Sequence, residues 1–84
     1  AFCCDLLSVA MGKAPAGCAW FTVMANINTL AVASLADAAC VILAEDAQID
    51  EVTLQKAAQQ GITLFSTSMP IFEAALSIYQ KLNP

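Results

Sequence analysis

The residues able to do chemistry fall into a few short groups. Glu45 and Asp46 are adjacent carboxylates directly after the apolar run of residues 40–44. Ser66, Thr67 and Ser68 stand just before Pro70, where a helix is expected to begin. Asn26 and Asn28 follow another apolar run, residues 18–23. Paired carboxylates after a strand could hold a metal or a hydroxyl, but hard cations want several converging oxygens. A solvated turn explains them more simply, and no metal site is expected. Three hydroxyls at a helix start could cradle an anion; helix capping alone also accounts for them. The ligand-binding candidates are therefore Asn26, Asn28, Glu45, Ser66, Thr67 and Ser68.

Other chemistries are excluded or poorly supported. The chain has no His and no Arg. This removes Ser-His-Asp and Cys-His catalysis and any His metal site. No GxxxxGK[ST] phosphate loop and no GxGxxG is present. The net charge is −4 with only three lysines. Nucleic acid is therefore an unsuitable partner, since phosphate neutralisation needs clustered cations. Four cysteines lack CxxC spacing, so zinc and iron–sulfur sites are not supported. A redox role for the vicinal pair Cys3 and Cys4 would need a strained disulfide. Reduced thiols packing as small apolar groups in a cytoplasmic protein is the expectation. No cofactor and no catalytic activity are expected.

The elements that must position these groups are read from pattern and caps. Residues 38–70 read as strand, helix, strand. The continuous apolar run at 40–44 suits a strand buried on both faces. Asp50 is a good N-cap for the helix, with Ile49 and Leu54 spaced for a hydrophobic staple. Gly61 sits where a left-handed residue ends a helix, with Ile62 following. Ile62, Leu64 and Phe65 make the next strand. Before this unit, residues 5–13 read as a short helix and residues 18–23 as a strand rich in aromatic and β-branched types. A helix capped by Asn26 or Asn28 then runs to about Leu35. Pro70 fits the first turn of a last helix, 71–82. The expected fold is a three-layer α/β/α domain with a small, mainly parallel sheet of about three strands. In such sheets ligands bind beyond the carboxyl ends of the strands. All six candidates should lie along that edge.

The same residues resemble the DRTGG domain family. The matching features are Ala33, Ser34 and Leu35 leading into an apolar strand and the acidic helix start. Lys56 and Ala57, Gly61 and Ile62, and the Ser-Thr turn before a Phe- and Ala-containing helix continue the match. Asp5, Leu6, Leu7 and Ser8, followed by Trp20, Phe21, Thr22 and Val23, resemble a stand-alone, clostridial-type branch. The resemblance covers nearly the whole chain. It implies one domain over residues 1–84, a fold similar to the N-terminal domain of HPr kinase/phosphorylase, and a regulatory role. It also implies a further strand before Ala1, as in a trimmed domain. The kinase's phosphate loop and catalytic residues belong to another domain. The Asp-Arg-Thr-Gly-Gly signature is missing, and Ala25, Asn26 and Ile27 stand where many members place Gly-Asp-Arg.

The leading functional expectation is a non-catalytic regulatory or interaction domain that forms a homodimer. The alternative is a small-molecule sensor binding an adenine nucleotide or other anion at the strand ends. With 60% hydrophobic residues and 12% charged, so short a chain has more apolar surface than a small sheet can cover. No run reaches the ~20 apolar residues of a membrane span. The helix around 28–35 has no strongly polar face, so it needs cover on more than one side. The expected dimer interface comprises Phe2, Leu6, Leu7, Leu30, Ala31 and Ser34.

Overall fold

The computed structural model of the chain describes residues 1–82. Four strands and four helices alternate: β1 (Phe2–Cys3), α1 (Leu7–Lys13), β2 (Ala19–Thr22), α2 (Ile27–Ala36), β3 (Cys40–Leu43), α3 (Glu51–Gln60), β4 (Leu64–Ser66) and α4 (Ile71–Leu82). The sheet is entirely parallel, in the order β1-β2-β3-β4. It has one strand more than the sequence pattern suggests. The extra strand is β1, two residues long, paired through Phe2↔Trp20 and Cys3↔Phe21. So short a strand has no periodicity to read. For the same reason α1 starts at Leu7 rather than Asp5.

Sequential parallel strands need crossovers, and right-handed crossovers running one way across a sheet all fall on one face. Helices α1, α2 and α3 accordingly lie side by side, with α2 in contact with both neighbours. Helix α4 takes the opposite face, against β1 and β2. The result is a three-layer α/β fold. Strand pleating sends alternate residues to the two layers. Trp20, Val41 and Leu43 join Ala10, Val32 and Ala33 in the core under the three helices. Phe21 meets Ala74 and Ala75 of α4 on the other face.

Local chemistry sets the helix boundaries. Asn26, not Asn28, caps α2: its side chain accepts from the amides of Asn28 and Thr29 at 2.9 and 3.2 Å. Asp50 caps α3, accepting from Thr53 N–H at 2.7 Å. These bonds to the charged form hold the Asp50 carboxyl below its ordinary range. Gly61 ends α3 at φ 70°. Ile62 N–H reaches back to the Ala57 carbonyl at 2.9 Å, the Schellman pattern. Helix α2 ends the same way one residue beyond Leu35, but with Asp37 at φ 58°.

The layering divides the six residues of the expected interface between core and surface. Leu30 is 1% exposed and belongs to the core. Phe2 and Leu7 are half-buried and pack on the three-helix core. Leu6, Ala31 and Ser34 are exposed. Helix α2 is the middle of three, so the sheet, α1 and α3 supply the cover that its apolar character demands. Among the described residues, no helix is long and apolar enough to cross a membrane.

Candidate functional site

The parallel sheet brings the connections after β1, β2, β3 and β4 to one edge, and all six candidate ligand residues lie in or beside them. Three of the six, Asn26, Glu45 and Thr67, use their side chains within the chain. The Asn26 carbonyl oxygen is consumed by the α2 cap. Glu45 and Asp46 both have positive φ, 56° and 57°. This bends the chain so that their amides donate to the carbonyls of Met69 and Thr67, at 2.9 and 3.0 Å. The Glu45 carboxylate accepts from Ile71 N–H at 3.4 Å, at the start of α4. The Thr67 hydroxyl accepts from Met69 N–H at 3.2 Å. The turn after β3 thus fastens the loop after β4, and Glu45 acts as a clasp on α4. A carboxylate near a helix N-terminus is favourable there. Asn28, Ser66 and Ser68 are exposed.

Asp5 also belongs to this edge, although the sequence pattern places it at the start of a helix. Its carboxylate accepts from the Thr22 hydroxyl at 2.8 Å and from Val23 N–H at 3.0 Å. Thr22 is fully buried and passes the chain on by accepting from Met24 N–H. The only available signal was a lone acid before an apolar run, which reads equally well as a cap. With Asp5, Glu45 and Asp46 the edge carries carboxylates, and its four connections contain no lysine. That charge balance opposes a polyphosphate.

A second feature lies beside the edge. Helix α4 packs mainly against β1 and β2, which leaves an open groove of about 320 Å³ beside it over β3 and β4. Ile42 and Phe65 form its floor, Ala74 and Ile78 of α4 one wall, and Met69 one end. Ser66 and Thr67 also line it, so two of the six candidates face this space. The cavity is large enough for a small ligand, at the lower end of the usual ~300–1,000 Å³. Its lining is mainly apolar, with Ser66, Thr67 and Ser77 as the polar residues at its border. No family model, curated protein or solved structure matches this chain.

The four cysteines sit in different surroundings. All four are free. Cys3 is exposed on β1, while the Cys4 thiol donates to the Leu6 carbonyl at 3.3 Å. Cys40 lines the groove, but Cys18 packs toward the three-helix core. Burial pushes the thiols of Cys3, Cys18 and Cys40 up from their ordinary value. A thiol held protonated is a poor nucleophile. Nothing in this arrangement prepares a thiolate. Among the described residues, no cluster of three or more acidic or Cys side chains is placed to hold a metal.

Proposed function

We propose that this chain is a non-catalytic regulatory or interaction module, as its resemblance to DRTGG domains implies, and that its excess of apolar surface makes it a homodimer. One observation carries the reading: the sheet face under α4 is only half covered. The groove over β3 and β4 leaves Phe65 and Met69, which line it, exposed. Large contiguous apolar surface on a small domain marks a place where something docks. The strand-end edge offers much less. Its polar groups hold caps and turns together, and its formal charges are negative. Cytoplasmic placement belongs to this same proposal.

Sedimentation equilibrium at tens of micromolar tests the reading, with a dimer expected. A monomer overturns the homodimer, and phosphorylation of HPr by the purified protein overturns the non-catalytic assignment. The small-molecule reading is favoured by one observation, that Ser66 and Thr67 line the groove. An adenine nucleotide should raise Tm if that reading holds, because ligand bound only to the folded state stabilises it.

A further inference from the structure

The groove beside α4 has the make-up of a ligand site. It runs along β3, from Ala19 and Cys40 at one end to Thr67 and Met69 at the other. The 4 residues of β3, at about 3.3 Å each, give it a length of about 13 Å. Its volume of about 320 Å³ has room for about ten water-sized groups, at roughly 30 Å³ each. Two lining side chains favour an aromatic ring. Phe65 is 56% exposed and can stack, and Met69 is 40% exposed with a thioether that packs well against ring edges. The polar capacity is small and uncharged. The Thr67 hydroxyl accepts from Met69 N–H, which leaves its own hydrogen to donate. Ser77, half-buried on the α4 side, brings a second hydroxyl. Among the described residues, no Asp, Glu or Lys lines the groove. Burial pushes the Cys40 thiol up, which keeps it neutral.

We propose that this groove binds one small, uncharged, fused-ring aromatic molecule carrying a hydroxyl or amide group. This ligand class rests on the small-molecule reading above and replaces its nucleotide; it does not need the homodimer. Charge decides against an anion. A phosphate or carboxylate in the groove gives up its water and meets no cation. Glu45 and Asp46, whose amides are bonded to Met69 and Thr67 at the groove's end, place negative charge beside it. Shape and entropy decide for a ring. A flexible aliphatic chain of the same volume loses rotamer freedom on binding and forgoes the contacts with Phe65 and Met69. The Thr67 and Ser77 hydroxyls supply the few polar contacts by which a mainly apolar pocket fixes the orientation of its ligand.

The test titrates isotope-labelled protein with naphthol, naphthoate and adenosine monophosphate and follows the amide shifts by NMR. Naphthol and naphthoate share a ring and differ in charge. The variants are Phe65→Ala in the groove and Phe72→Ala outside it; Phe72 is 69% exposed on α4 and controls for adhesion to any exposed ring. The amide spectrum of each variant also reports its fold. Naphthol should bind saturably, with a Kd of about 1 mM or tighter and with shifts centred on Ile42, Phe65, Met69 and Ala74. Naphthoate and adenosine monophosphate should bind at least about tenfold more weakly. Phe65→Ala should weaken naphthol about tenfold, the worth of one aromatic contact, and Phe72→Ala should leave it unchanged. Shifts spread equally over Phe72 and the groove overturn the site, whatever the variants do. Adenosine monophosphate binding in the groove as tightly as naphthol, or in its place, overturns the uncharged ligand class and leaves the small-molecule reading standing. No saturable binding of any probe overturns both.

Discussion

The two faces of the sheet are made from alternate residues of the same four strands, yet they end in different states. One row, Phe2, Trp20, Val41 and Leu64, meets three adjacent helices and is closed over. The next row, Cys3, Phe21, Ile42 and Phe65, meets one helix. Phe21 is sealed there, while Phe65 projects into solvent beside the groove. Composition does not separate the rows, since both are apolar. Connectivity does: the crossover helices α1, α2 and α3 lie together on one face, and α4, after β4, packs on the other. A helix about 10 Å across covers about two strands spaced about 4.8 Å apart. The row under three helices holds most of the buried core, and the row under α4 leaves Phe65 exposed.

The largest expected effect is a difference between those faces. Trp20 has no exposed surface, and its indole N–H donates to the Cys4 carbonyl at 2.9 Å. Trp20→Ala should cost about 3–5 kcal/mol, close to the whole stability of a small domain. Phe65→Ala, on the open row, should cost under about 1 kcal/mol. Urea denaturation at low protein concentration measures both. Equal losses would mean that the open row is covered in solution and would erase the contrast.

A smaller effect sharpens the same comparison at the strand-end edge. Removing the Asp5 carboxylate takes a partner from the buried Thr22 hydroxyl on the closed face. Asp5→Ala should therefore destabilise by about 1–3 kcal/mol. Ser68→Ala, on the same edge but exposed, should change the denaturation midpoint little. If Asp5→Ala is equally silent, the carboxylate does not hold β1 to β2.

How far the sequence was legible follows from which features are local. The caps Asn26 and Asp50, the end of α3 at Gly61 and the strands β2, β3 and β4 depend on neighbouring residues and could be read. Strand β1 exists only through its pairing with β2, so two residues of sequence could not announce it. The burial of Leu30 depends on α1 and α3 standing on either side of α2, which is a property of the topology. Asp5 acts across 17 residues on Thr22, and no spacing rule encodes that bond.

The smallest predicted effects come from two helix ends that share a geometry and differ in residue. Gly61 closes α3 at φ 70°, and nothing lies within 4 Å of where its Cβ would stand. Gly61→Ala therefore tests backbone strain alone and should cost about 1 kcal/mol. Asp37 closes α2 at φ 58°, with Ala38 N–H bonded to the Ala33 carbonyl at 3.0 Å. Here the left-handed conformation is already strained, though Asp tolerates it better than most residues. Asp37→Gly relieves the strain while loosening the unfolded chain, so the two terms partly cancel. The Asp37 carbonyl that accepts from Gly17 N–H at 2.7 Å is backbone and survives the change. The net expectation is a gain of about 0.5 kcal/mol, or roughly 2–4 °C in Tm for a domain of this size. A fall in Tm would show that the Asp37 side chain does more for the end of α2 than its backbone angle costs.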